Sequence, residues 1–327
     1  MLEEDKECFI ENLEDEDKGI SIINLNRPST KNAISHKFLM EFYDAIGKIR
    51  NESSSRVVLL RSLVNNAFCS GADLKERAGM SPSDVTKFIH NLRRTFRELE
   101  TLPIPTIAVI DGVALGGGLE LALCCDLRVS GENAKLGLPE TKLAIIPGAG
   151  GTQRLARVIG IAKAKELIYT GRMLSPKDAL DLGIVNYCAQ EGSSYPIALK
   201  LAREILPSGP IALRMAKLAI DRGSQLDLDS ALEFENACYE QVIPTEDRIE
   251  VFEIQILRVT NNNIKLLTTC SKPVIFESHK GTNNFRTICE EPILNYLEFA
   301  KALKTLKIRF TLLANSNQQI VKRVVVV

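Results

Sequence analysis

Glu120 ends the run Gly112-Val-Ala-Leu-Gly-Gly-Gly-Leu-Glu120, and Glu140 ends Gly137-Leu-Pro-Glu140. Each carboxylate is thus carried on a glycine-flanked loop. Two carboxylates facing one water divide acid–base work, one taking a proton and the other giving one. Desolvation and mutual repulsion push their proton affinities apart and so assign the roles. The triple glycine opens an apolar helix, where the absence of a Cβ lets the backbone approach a ligand closely. The first N–H groups of such a helix lack internal partners and lie at the positive end of its dipole. A second strand-to-helix turn of this kind lies in Phe68-Cys-Ser-Gly-Ala-Asp-Leu-Lys75, at Gly71-Ala72. Two N–H groups converging from these loops would form an oxyanion hole, as needed by a thioester whose carbonyl becomes enolate-like.

The same residues have plainer uses. A Gly-Gly-Gly run before a helix is also a packing device. Glu120 fits a carboxylate that merely satisfies a helix N-terminus, and a glutamate on a turn, like Glu140, commonly faces solvent. From the residues alone both readings stay open. Other chemistries fit less well. Gly-Ala-Gly-Gly-Thr-Gln-Arg154 looks like a phosphate loop, but no Gly-Lys-[Ser/Thr] follows it. Leu-Gly-Gly-Gly-Leu-Glu lacks the GxGxxG spacing of a dinucleotide site. Ser70 has no nearby histidine, so a Ser-His-Asp hydrolase would need distant His36 or His90.

The elements around these loops alternate in type. Residues 19–25, 56–62, 106–110, 127–130 and 134–138 are β-rich runs, and residues 36–49 and 85–99 carry apolar side chains at helical spacing. Such alternation predicts an α/β fold with parallel strands. The second half reads as helices over 152–160, 162–171, 175–183, 195–206, 210–220 and 228–243, with Ser175 and Gly183 as start and stop signals for one of them.

Composition bounds the rest. Lys+Arg and Asp+Glu balance at 41 each, which gives no support for nucleic-acid binding by the whole chain. No apolar run reaches the length of a membrane span. The 8 cysteines have no regular spacing and the 3 histidines stand apart, so reduced thiols and no metal site are expected. Residues 1–18 form an acidic segment without a secretory or mitochondrial presequence pattern. Composition breaks near Val251. From there the chain has no aspartate, one glycine and eleven basic against five acidic residues, so the tail is basic and the remainder acidic. Residues 251–327 read as a foreign or weakly folding tail, from intron read-through or an alternative last exon.

From about Gly19 to Glu250 the chain resembles the enoyl-CoA hydratase (crotonase) family. The resemblance rests on NRPSTKNAIS, AFCSGADLKE, PTIAVIDGVALGGGLELALCCDLRV, LGLPETKLAIIPGAGGTQRL and AKELIYTGRMLSPKDALDLGIVN. GADLKER, ETKLAIIPG and ACYEQVIPTEDRIE are most similar to the AU-binding-protein/methylglutaconyl-CoA hydratase branch, and enoyl-CoA-hydratase-domain-containing proteins look similar too. The resemblance implies a crotonase (ClpP-like) fold of repeated ββα units with a C-terminal helical trimerisation region. It divides the chain into an acidic segment 1–18, a core 19–190, a helical region 191–250 and the tail. It implies reversible water addition to 2-enoyl-CoA thioesters, with 3-methylglutaconyl-CoA a suspected substrate. Glu120 then helps activate water for attack at Cβ, Glu140 protonates Cα, and the N–H groups of Ala72 and Gly117 form the oxyanion hole. Arg27, Lys31, Ser70, Asp73, Leu74, Lys75, Gly116 and Pro139 line the path of the substrate. No cofactor is implied, because coenzyme A arrives as part of the substrate. Trimers, often paired into hexamers, and the mitochondrial matrix complete what the family implies.

Two departures carry alternatives. The family's own ending is replaced after Glu250, which makes an inactive isoform one competing reading. The AU-binding branch carries a lysine-studded helix where this chain has Lys37, Lys48 and Arg50 interrupted by Glu41 and Asp44. AU-rich RNA binding with vestigial activity is therefore a second alternative on a thin basic stripe.

Overall fold

The computed structural model describes residues 6–52, 54–190 and 192–251, together with the strand backbones of 274–278, 285–289, 308–314 and 320–326. The chain opens with β1 (Cys8–Asn12), β2 (Ile20–Leu25), α1 (His36–Asn51), β3 (Val57–Ser62), β4 (Ala67–Cys69), α2 (Leu74–Ala78) and α3 (Pro82–Glu100). It continues through β5 (Thr106–Ile110), β6 (Val113–Leu115), α4 (Gly117–Ala122), β7 (Leu127–Ser130) and β8 (Lys135–Gly137). Next come α5 (Gly151–Ile159), α6 (Ile161–Thr170), α7 (Pro176–Asp181), β9 (Tyr187–Cys188), α8 (Tyr195–Ile205), α9 (Pro210–Gly223) and α10 (Leu228–Val242).

Two sheets share these strands. The larger runs in the order β1-β2-β3-β5-β7-β9, with β1 antiparallel to β2 and the other neighbours parallel. The smaller runs β4-β6-β8 and is parallel throughout. Each of the pairs β3–β4, β5–β6 and β7–β8 therefore places one strand in each sheet. This is the repeated ββα step expected of the crotonase fold.

The large sheet is buried on both faces, which explains why its strands read as continuous apolar runs. Side chains alternate along each strand. Ile20, Ile22, Val57, Leu59, Ile107 and Val109 cluster with Ala198 and Ala202 of α8. Their sequence neighbours Ile23, Val58, Leu60, Ala108 and Ile110 pack on the other side with Phe38, Phe42, Phe88 and Phe96 of α1 and α3. Serine hydroxyls start the helices. Ser35 accepts from Phe38 N–H and Ser81 from Asp84 N–H, while Ser175 and Asp178 form a reciprocal capping box.

The predicted helices and main strands stand within a few residues of their expected places. Several pieces differ. The acidic segment 1–18 contributes the edge strand β1, in which Cys8 is buried. Helix α8 covers one face of the large sheet, so the expected helical region from residue 191 begins inside the core. Residues 1–238 and 239–327 form two compact units, a division inside α10 rather than at the compositional break near 251. In the tail, β10 (Val274–Ser278) pairs antiparallel with β11 (Phe285–Cys289), and β12 (Ile308–Ala314) with β13 (Ile320–Val326). The rest of the tail expectation for 251–327 lies outside the described residues. Cys8, Cys69, Cys124, Cys125, Cys188 and Cys238 are free thiols. Among the described residues no helix is long and apolar enough to cross a membrane.

Candidate active site

The small sheet brings the loops with the candidate residues together. Its strands are parallel neighbours in the order β4-β6-β8, so their C-terminal ends emerge side by side. The turn with Ala72 follows β4, the turn with Gly116 and Gly117 follows β6, and Glu140 follows β8. Ile34 N–H donates to Gly71 C=O at 2.8 Å, and Asp73 N–H donates to Ile34 C=O at 3.2 Å. These bonds use the residues on either side of Ala72, which turns the N–H of Ala72 to the opposite side of the chain. Gly117 waits there. A Cβ built on Gly117 would lie 3.6 Å from Ala72 N, and one on Gly71 would lie 3.4 Å from Gly117 N. Gly117 is the first residue of α4, so its N–H has no acceptor within the helix. The backbones of Ala72 and Gly117 thus lie side by side.

Glu120 lies in the first turn of α4 and is buried. Its Oε1 accepts from Ala149 N–H at 2.8 Å and Gly151 N–H at 2.7 Å, the second being at the start of α5. The carboxylate thus satisfies another helix's N-terminus rather than only its own. The glycine-rich turn between Pro147 and Gly151 is an anion loop, but its anion is an internal side chain. Burial raises the Glu120 pKa, while the two N–H bonds and the charges of Arg154 and Arg93 oppose the rise.

Glu140 opens a 3-10 turn after Pro139 and is only 8% exposed, which removes the solvent-facing reading. Neither carboxylate oxygen has a hydrogen-bond partner among the described residues. The group lies against the α4 turn, where a Cβ on Gly116 would stand 3.1 Å from Oε1. Burial, and with it the charge of Glu120, raises the Glu140 pKa to about 7. A carboxyl whose folded pKa lies above its unfolded value binds more protons when folded, so stability falls as pH rises between the two values. The shift from 4.5 to about 7 corresponds to about 3 kcal/mol. Glu140→Gln is therefore expected to gain about 3 kcal/mol on wild type between pH 4 and pH 8, read by denaturant unfolding. An unchanged gap would show that Glu140 is not held neutral by the fold.

The remaining expected residues divide. Asp73 caps α2 by accepting from Lys75 and Glu76 N–H, and also pairs with Arg27 Nη1 at 2.8 Å. Arg27 pairs with Glu7 at 3.3 Å and donates to Ala33 C=O at 2.7 Å. Through Asp73, Arg27 braces the loop that carries Ala72. Ser70 Oγ donates to Thr30 C=O, while Lys31, Leu74 and Lys75 are exposed beside the same turn. Gly116 and Pro139 flank Glu140. Sequence reading missed Ala149 and Gly151 as donors, and Arg93, Glu100 and Arg154 behind them. The signal was present in Gly-Ala-Gly-Gly-Thr-Gln-Arg, which has the look of an anion loop without the lysine of a nucleotide site.

The basic stripe of α1 is broken. Arg50 binds Glu98 at 2.9 Å and the carbonyls of Glu98 and Thr101, and Lys37 stands 3.9 Å from Glu41. Among the described residues no group of three or more His, Cys, Asp or Glu side chains is arranged to hold a metal ion.

Known proteins match this arrangement. The family model described as enoyl-CoA hydratase/isomerase matches residues 15–253. The mitochondrial methylglutaconyl-CoA hydratase of Homo sapiens is 49% identical over 253 residues, covering 76% of this chain and 75% of its own. The mitochondrial enoyl-CoA hydratase domain-containing protein 2 of Homo sapiens is 50% identical over 238 residues, covering 72% and 82%. The two are equally similar, so identity singles out neither branch. The crystal structure of an enoyl-CoA hydratase from Bacillus anthracis superposes with a TM-score of 0.74 at 44% identity, covering 77% of this chain and 97% of that one. With the paired strands, the adjacent Ala72 and Gly117 backbones and the two buried glutamates already in place, these matches show that the chain belongs to the enoyl-CoA hydratase/isomerase family.

Proposed function

We propose that this chain reversibly hydrates 2-enoyl-CoA thioesters, with Glu120 and Glu140 as the acid–base pair and the Ala72 and Gly117 N–H groups as the oxyanion hole. The observation that carries this reading is the unequal treatment of two neighbouring buried carboxylates. Glu120 is held by two N–H donors, whereas Glu140 has none and is pushed toward neutrality at about 7. Glu120 is thus suited to accept a proton and Glu140 to give one.

The thioester carbonyl oxygen sits between the two N–H groups, which polarises the conjugated double bond. A water held by Glu120 loses a proton to it as the water oxygen bonds to Cβ. The π electrons of the double bond move onto the carbonyl oxygen as an enolate. The enolate then collapses, and Cα takes the proton of Glu140 on the same side, a syn addition. Passing the proton from Glu120 to Glu140 restores the starting state, and the two are close enough to influence each other's charge.

The substrate class extends to 3-methylglutaconyl-CoA, supported by the similarity to the human hydratase of that name. Coenzyme A enters with the substrate, and the chemistry above calls for no further cofactor. Trimeric assembly, with pairing into hexamers, is supported by exposed apolar side chains at Ile146, Ile161 and Tyr169. The mitochondrial matrix is the proposed location, on the strength of relatives named as mitochondrial. The purified full chain should deplete crotonyl-CoA, read by loss of the conjugated absorbance, with kcat/KM of at least about 10⁴ M⁻¹s⁻¹. Absence of turnover on both crotonyl-CoA and 3-methylglutaconyl-CoA would overturn the reading.

A further inference from the structure

The loop that holds Glu120 is itself held from outside. Ala149 uses both sides of its peptide, donating its N–H to Glu120 Oε1 at 2.8 Å and accepting from Arg154 Nη1 at 2.9 Å. Arg154 reaches back from the first turns of α5 and meets Glu100 in a two-pronged pair, Nε to Oε1 and Nη2 to Oε2, both at 2.9 Å. A fork of this kind fixes the guanidinium plane as well as its position. Glu100 is the last residue of α3, and Arg97 Nη1 also donates to it. Arg93 lies seven residues before Glu100, two turns away on the same face of α3. Its Nε donates to Gly148 C=O at 2.6 Å. Helix α3 therefore grips the loop near both ends.

The turn between the two donors leaves room for this grip. Gly150 has φ +110°, a left-handed conformation that glycine favours. A Cβ there would also fall 2.2 Å from Arg154 Nη1. The glycine lets the guanidinium lie beneath the turn while the N–H groups of Ala149 and Gly151 face the same oxygen.

We infer that Arg154, locked by Glu100 and assisted by Arg93, is a positioning residue for the hydration reaction, holding the loop whose N–H groups aim the Glu120 carboxylate at water. This rests on the proposed role of Glu120 and extends it to groups that do not touch the substrate. A displacement of about 1 Å in a reacting group is enough to cost about 10²-fold in rate. Charge adds a second, separable effect. The charged and titratable groups around Glu120 are Arg154 on α5, Arg93 on α3, Glu140 after β8 and Cys124 on its own turn. Arg154 and Arg93 favour the ionised form that a base requires.

The test compares Arg154→Leu, Arg154→Lys and Glu100→Gln with wild type and Glu120→Gln in the full chain. Crotonyl-CoA hydration is followed across pH. Arg203→Leu, which breaks an exposed pair with Asp17, serves as the control that leaves rate and pH profile unchanged. Arg154→Leu should lower kcat about 10²-fold with KM within about threefold. It should also move the acid limb of kcat to higher pH, because Glu120 loses a neighbouring positive charge. Arg154→Lys should return the limb toward wild type while recovering only part of kcat, and Glu100→Gln should show a smaller fall in kcat. Wild-type kcat and acid limb in Arg154→Leu, with Glu120→Gln inactive, would overturn this inference and leave the Glu120 role standing. A fall in active fraction with an unmoved acid limb would overturn it too, since that is the mark of a purely structural residue. Full activity in Glu120→Gln would instead remove the reading on which the inference rests. If Arg154→Leu does not fold, Arg93→Gln carries the acid-limb readout, because it removes the other positive charge near Glu120, and Arg154→Lys carries the kcat readout.

Discussion

Glu120→Gln is expected to lower kcat for crotonyl-CoA hydration roughly 10³-fold and to leave KM within about threefold. The substitution keeps shape while removing the base. The amide oxygen of Gln still accepts from Ala149 and Gly151 N–H, now at 2.8 and 2.7 Å from the carboxylate, so the loop has no reason to move. The amide nitrogen then occupies the place of Oε2 and presents a donor to the water where an acceptor is needed. The N–H groups proposed as the oxyanion hole, at Ala72 and Gly117, are untouched, so binding is expected to survive while the chemical step is not. Thermal stability should stay level or rise, because a buried carboxylate has been made neutral. A variant with near wild-type kcat would show that Glu120 is not the base.

Gly118→Ala is expected to disturb both the fold and the candidate site. Its Cβ would stand 2.0 Å from the Cys69 carbonyl oxygen and 2.8 Å from the carbonyl carbon, distances no side chain tolerates against backbone. Helix α4 must back away from β4, and the separation between Gly117 and Ala72 changes with it. Overpacking of this kind costs on the order of 1–3 kcal/mol or more. The expected result is a Tm lower by several degrees and a kcat/KM about 10²-fold lower, measured on the folded fraction. Gly47→Ala on α1 is the contrast. Nothing lies within 4 Å of a Cβ there, so it is expected to stabilise the helix by about 0.5–1 kcal/mol without touching activity. Equal effects at the two positions would show that close approach at Gly118 is not what positions the oxyanion donors.

The sequence showed most clearly what is periodic and buried. Val57–Leu60 and Ile107–Ile110 are apolar without interruption because α8 covers one face and α1 with α3 the other. The motifs at Ala72, Gly117, Glu120 and Glu140 were equally visible, since each follows a strand and carries glycine or proline. The residues that hold them were harder to find. β1 sits in an acidic stretch, and only its pairing with β2 makes it a strand. β4 and β6 are three residues long, too short for any period to show, and they exist because β4 pairs with β6 and β6 with β8. Arg27, beside the turn at Pro28, and Arg154, beside a glycine-rich run, are both basic residues on loops that suggest an anion contact. The anions they meet are Asp73 and Glu100 of the chain itself. Partners so far apart in sequence leave no local pattern.

Each strand pair followed by a turn can be regarded as a cassette, and the cassettes divide the labour of the cleft. The β3–β4 cassette delivers only a backbone donor, at Ala72. The β5–β6 cassette delivers a donor at Gly117 and one carboxylate, at Glu120. The β7–β8 cassette delivers the other carboxylate, at Glu140. The donors proposed to recognise the thioester are main chain and survive any side-chain replacement that the backbone tolerates. The acids are single side chains on separate turns. A scaffold organised this way keeps its enolate-stabilising capacity while the proton-handling groups are rewritten one cassette at a time.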